Sequence, residues 1–247
     1  MADLFTKIFY QPILNLLVFL YNVIPFNDFG TAIILLTVII KLVFWPLGGK
    51  AIKSQKALQD LQPKIDALKK QYADDKVGLS RATMDLYKEN KVNPFSSCLP
   101  LLIQLPFLWA VYRVFSDGIS NNLGLVYSYI HRPEVINTIS FGFLDLAKPN
   151  VYLAVLAGAA QFWQAKMMIT KKPAVQSTGA KDENMMAIMN KQMLFIMPAV
   201  TVFIGISLPG GLTLYWFTIT LLTAIQQYLT FRKHSTATEI IEGEIVK

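Results

Sequence analysis

Five apolar runs set the pattern of the chain, over residues 29–48, 94–115, 151–169, 192–208 and 212–231, with polar segments of very unequal length between them. Crossing the hydrocarbon of a bilayer takes about 17 to 25 mostly uncharged residues, and runs of this length approach or meet that requirement. They are continuously apolar and not alternating, which predicts helices and argues against a barrel. Pro209-Gly210-Gly211 between the last two runs is a turn signal, so those helices are expected to be antiparallel neighbours.

The polar segment 49–93 has its own periodicity. Leu58, Leu61, Ile65, Leu68 and Tyr72 recur at three- and four-residue intervals, "ADDKVG" interrupts them, and Leu79, Thr83 and Leu86 form a second short face. Two antiparallel helices covering each other's stripes are predicted, a helical hairpin outside the membrane. At the other end, residues 1–28 hold "LFTKIFYQPILNLLVFLYNVI", in which Lys7, Gln11, Pro12 and Asn15 interrupt the hydrophobicity. This reads as an interfacial helix on the outer surface, with a further membrane span as the alternative, and the stretch lacks the basic start and small-residue cleavage site of a signal peptide.

Composition agrees with a membrane protein: 53% of positions are hydrophobic and 16% charged. Charge placement then orients it. Lys50, Lys53 and Lys56 follow the first run, Lys88 and Lys91 precede the second, Lys171 and Lys172 follow the third, Lys191 precedes the fourth, and Arg232 and Lys233 follow the fifth. Cation-rich ends face the cytoplasm, so the N-terminus is expected outside and the C-terminus inside. The loop 116–150 is then extracytoplasmic, and the loop 170–191 and the tail 232–247 cytoplasmic. Most of the net charge of +7 is accounted for by this placement, facing anionic lipid headgroups, and no specific DNA binding is expected. The hairpin is basic as well, with ten Lys or Arg against six Asp or Glu between Lys50 and Lys91. A solvated loop and a partner-binding arm both fit that excess. The single cysteine, Cys98, excludes an intramolecular disulfide.

Polar residues inside the runs are the candidate functional positions. Thr37 and Lys41 are four apart, as are Thr220 and Trp216, while Gln161 and Gln164 are three apart; Gln104 interrupts the second run. Thr213, Trp216, Thr220, Thr223 and Gln227 make one stripe along the fifth. Such groups either hydrogen-bond between helices in pairs or face a shared hydrated cavity. Lys41 lies about 9 Å along a helix from Leu47 and could snorkel to the headgroups or stand in that cavity. Spacing alone does not choose between these readings.

No Walker loop, HExxH, paired-cysteine motif or nucleophile elbow is present, so neither an enzyme nor a cofactor nor a metal site is expected. A small-solute channel or secondary carrier would also use a midplane cation, although five spans show no inverted repeat. An assembly factor of the translocation channel is a third possibility at this level.

Ordered segments carry more information than any one motif. "YQPILNLLVFLYNVIP" (10–25), "TAIILLTVIIKLVFWPL" (31–47), "LYKENKVNPFSSCLPLLIQLPFLWAVYRVF" (86–115), "FLDLAKPN" (143–150) and "LPGGLTLYW" (208–216) resemble the YidC-type membrane protein insertases, relatives of the mitochondrial and chloroplast insertases, over nearly the whole chain. The resemblance implies five transmembrane helices around a hydrophilic groove that is open to cytoplasm and lipid and closed on the outside, in a bacterial inner membrane. It implies that Lys41 is the groove cation, usually arginine, and that Thr37, Gln164 and Trp216 line the groove. It implies nascent membrane proteins as clients, handled with the help of the hairpin, and the ribosome and the Sec translocation channel as further candidate partners. Three departures stand out. Lysine replaces arginine at position 41, the pattern is that of compact forms without a large outer domain or lipobox cysteine, and the tail "RKHSTATEIIEGEIVK" is short and not strongly basic.

Overall fold

The computed structural model describes residues 2–73, 75–93, 99–116, 123–168 and 192–245; Cys98, Lys171, Lys172 and Lys191 lie outside them. The described residues are all-α apart from one two-stranded hairpin. Helix α1 starts at Ala2–Phe5, widens into a π-helical stretch at Thr6–Tyr10 and continues as Gln11–Val23. A second π-helical stretch, Gln192–Ile196, opens α7 and leads into Met197–Gly205. Each stretch is followed closely by a proline, Pro12 or Pro198. A proline lacks the N–H for the bond to the carbonyl four residues back and crowds that carbonyl, and a widened turn relieves both.

Helix α2, Phe29–Val43, begins where the Asp28 carboxylate accepts the Thr31 N–H at 2.7 Å. It ends earlier than the hydrophobic pattern. The chain bends by 68° at Phe44 into α3, Trp45–Gln71, so the run predicted through residue 48 is divided between two helices. Pro46 explains the break: it cannot donate to the Leu42 carbonyl, which ends α2, yet it suits the first turn of α3. Helix α4, Lys76–Glu89, starts three residues before the predicted Leu79 because Asp75 caps it, accepting the Gly78 N–H at 2.8 Å. It buries no residue fully and rests on α3 with Leu79, Thr83 and Leu86 half-covered.

Helices α5 (Leu99–Ser116, containing Pro106), α6 (Val151–Met167) and α8 (Gly210–Ile245) complete the bundle. Among the described residues no single helix is long and apolar enough to cross a membrane, although α2 and α3 together pass that test as a bent pair. Helix α6 packs between α7 and α8 through small residues, with Ala154, Ala157, Gly158 and Ala160 buried. A Cβ on Gly158 would lie 2.4 Å from Val202 Cγ2, so α7 sits closer than any larger residue allows.

The segment expected at the membrane surface is a wall of the core. Tyr10, Leu14, Leu17 and Val18 of α1 are almost fully buried against α2 and α5, with Tyr21 edge-on to Phe29 and Phe9 edge-on to Phe107. Lys7 is exposed, but Gln11, Asn15 and Asn22 bond to protein. Gln11 and Asn15 both donate to the Leu125 carbonyl, at 3.0 and 3.1 Å, and Asn15 Oδ1 accepts the Tyr127 N–H at 2.7 Å. Asn22 donates to the His131 carbonyl at 2.7 Å, and the Tyr21 hydroxyl accepts the Asn137 N–H at 3.0 Å.

The loop held this way caps one end of the bundle. It contains β1 (Ile139–Ser140) paired antiparallel with β2 (Leu144–Asp145), Ile139 opposite Asp145. The first N–H groups of α8, at Gly210 and Gly211, donate at 2.9 Å to the carbonyls of Lys148 and Leu146. A Cβ on Gly211 would lie 2.1 Å from the Phe115 ring, which makes the second glycine of Pro-Gly-Gly a requirement of close packing as much as of turning.

Candidate functional site

The bend at Phe44 places Lys41 in the last turn of α2, facing α8 and the first turns of α3. Lys41 is half-buried, and its Nζ donates to Thr223 Oγ1 at 2.8 Å. The Thr223 hydroxyl in turn donates to the Ile219 carbonyl at 2.7 Å, which leaves its oxygen oriented to accept from the ammonium. Among the described residues no carboxylate pairs with Lys41.

Around it is an open cavity of about 90 Å³. Its polar wall is Lys41, Gln104, Thr223 and Gln226; Ile40, Phe44, Leu47, Ile52, Phe107 and Ile219 form the rest with Gly48 and Ala51. A water molecule needs roughly 10–15 Å³ measured the same way, so the space holds several. An ammonium in such a place keeps partial hydration, which offsets the cost of carrying its charge among apolar helices. It can attract an anionic group or donate to a carbonyl.

Neighbouring amides brace the walls. Gln226 Nε2 donates to the Trp45 carbonyl at 2.7 Å, tying α8 to the start of α3, while its Oε1 is buried against Gly48 without a partner. Gln104 Nε2 donates to the Tyr215 hydroxyl, tying α5 to α8.

Of the seven positions singled out from the sequence, the structure gathers Lys41 and Gln104 at this cavity. Thr37 is fully buried and donates to the Ile33 carbonyl of its own helix at 2.7 Å. Gln161 accepts from the Thr201 hydroxyl across the contact of α6 with α7. The Gln164 carbonyl accepts from Gln227 Nε2 at 3.3 Å, between α6 and α8. Thr220 is buried in α8 and Trp216 half-buried there. Gln226 and Tyr215 escaped sequence reasoning. Thr223, Gln226 and Gln227 do share a helical face by spacing, and a tyrosine in an apolar run needs a partner for its hydroxyl, so weak signals for both existed.

Beyond the cavity, the outward faces of the helices are apolar: Trp109 on α5, Val155 and Leu156 on α6, Phe203 and Ile204 on α7 and Leu229 on α8 are all exposed. An apolar exterior on a helical bundle that holds a small polar, charged cavity is the pattern of a helical membrane protein with an internal polar site. The profile of the family described as 60Kd inner membrane protein matches residues 19–237, and the chain belongs to that family. It is 37% identical over 209 residues to a membrane protein insertase YidC of Fusobacterium nucleatum, covering 84% of this chain and 88% of that protein. Similar proteins of the same name in Geobacter sulfurreducens and Nitratidesulfovibrio vulgaris are 34% and 32% identical over 92% and 90% of this chain. The chain spans only 38% of the length of either of those two.

Proposed function

We propose that this protein inserts nascent membrane proteins into the bacterial inner membrane, acting as an insertase and folding chaperone and making or breaking no bond. The observation that carries the reading is Lys41, a cation without a carboxylate partner among the described residues, set in a polar-walled cavity between α2, α3, α5 and α8. A hydrated cavity shortens the apolar path that a client's polar segment must cross, and the ammonium favours segments that carry acids. The apolar helix of the client then leaves along α6 and α8, whose outward apolar faces suit a sliding contact.

In this scheme the five runs span the membrane with the N-terminus outside and the C-terminus in the cytoplasm, and the α3–α4 hairpin projects into the cytoplasm, where a ribosome or the Sec channel would meet it. Thr37, Gln161, Gln164, Trp216 and Thr220 join Lys41 and Gln104 in one groove when a client parts α2, α6 and α8. Reconstituted proteoliposomes provide the test. Small single- and double-spanning clients are expected to become protease-protected with the protein and not without it; equal protection in both preparations refutes the proposal.

A further inference from the structure

Two turns at the capped end of the bundle hold aromatic rings outward in a backbone conformation that bulky residues avoid. Phe26 has φ 64° and is fully exposed; Phe141 has φ 55° and is 45% exposed; Phe143, just beyond, is 82% exposed. Asparagine or glycine would occupy such left-handed positions without strain, so the rings are costly choices for turns facing water.

The turns are clamped to each other. Asp28 accepts the Phe141 N–H with one carboxylate oxygen, at 2.6 Å, and caps α2 with the other. Ser140 Oγ accepts the Gly30 N–H at 2.7 Å. The clamp also fixes a depth: a Cβ on Gly30 would lie 2.8 Å from the Phe141 ring, level with the first turn of α2.

Phe26 also continues an apolar stripe. Leu4, Ile8, Phe19 and Val23 are exposed along α1, and Phe26 follows Val23 by three residues. The chain belongs to a family of inner membrane proteins, and an exposed apolar stripe of this kind suits contact with lipid. From this continuity and depth we propose that Phe26, Phe141 and Phe143 insert into the boundary between lipid headgroups and hydrocarbon, anchoring the capped end of the bundle in the bilayer. Rigid rings already facing outward enter that boundary with little ordering cost. The proposal goes beyond insertase activity and does not depend on it.

Phe26 is fully exposed, so replacing it removes no buried packing. In a Cys98→Ser background, nitroxide labels on Phe26→Cys, Phe143→Cys and the exposed control Glu134→Cys are read in full-length protein reconstituted in phosphatidylethanolamine–phosphatidylglycerol vesicles. Positions 26 and 143 are expected to collide several-fold more with oxygen, and less with an aqueous nickel chelate, than position 134. Water-like collisions at 26 and 143 overturn the proposal. Shielding from both probes overturns it too, because protein and not lipid then covers the rings.

Discussion

Lys41 donates to a neutral partner, Thr223, and an ammonium has three protons to give, so the contact leaves most of its donor capacity free. Lys41→Ala is expected to reduce insertion of clients with acidic outer segments several-fold in proteoliposomes, while Lys41→Arg retains it; equal rates for all three chains would remove the charge from the mechanism. Lysine serves where a compact charge suffices, since Thr223 offers one oxygen and no planar carboxylate that would reward a guanidinium. Asp28 is the corresponding residue at the opposite end of α2. Burial alone would push its pKa up, but backbone N–H groups of Phe141, Thr31 and Gly30 and the Thr31 side chain outweigh that and hold it below the usual carboxylate value. The folded form is then favoured above the unfolded-state pKa, and this contribution is lost as pH falls through the lower, folded-state value. Asp28→Ala is expected to cost about 1–2 kcal/mol in neutral detergent solution, the usual value of an N-cap, and to flatten the acid limb of a stability curve measured by tryptophan fluorescence.

At the scale of elements, hydrophobic periodicity announces helices but not where they bend. The apolar pattern runs without pause through Phe44 and Trp45, and only Pro46 signals that α2 stops at Val43. The polar interruptions of α1 are visible in the sequence, yet their meaning depends on Leu125, Tyr127 and His131, more than a hundred residues away, so they look like groups turned to water. The α3–α4 hairpin is legible for the opposite reason: its order is local, set by spacing and by the Asp75 cap. Because α4 buries no residue and rests on α3, replacing Lys76–Glu89 by a short flexible linker should leave the bundle's thermal unfolding in detergent within a few degrees of the parent. The contact of α6 with α7 should behave differently. Gly158→Leu drives a side chain into Val202, and overpacking of this kind costs about 1–3 kcal/mol, which the same melt would show as a clear drop.

Across the whole molecule the two ends of α2 differ in kind. Phe29 and Lys41 are about 18 Å apart along the helix axis. Around the first, the loop, the start of α8 and the α1–α2 turn interlock through Asp28, Ser140, Gly210 and Gly211; around the second is the open, charged cavity. In the proposed scheme a polar segment enters at the Lys41 end and meets a barrier at the other, the asymmetry that one-way delivery requires. Lys41 itself is legible as a charge in an apolar run, but the identity of its neighbours rests on which face of α8 meets α2 and which meets α6, and no single-helix pattern carries that. On α8, Trp216, Thr223 and Gln227 fall close to one stripe, with Thr223 bonded to Lys41 and Gln227 bonded to Gln164 of α6. A client moving from the cavity toward lipid between α6 and α8 would pass Thr223 first and then part Gln227 from Gln164. Photocrosslinkers at positions 104, 164 and 216 distinguish that route from its competitors when a client is stalled at increasing lengths. Short stalled chains are expected to label position 104, and longer ones 216 and then 164. Labelling that stays at 104 at every length would show that the cavity receives clients but that they leave by a path other than the seam between α6 and α8.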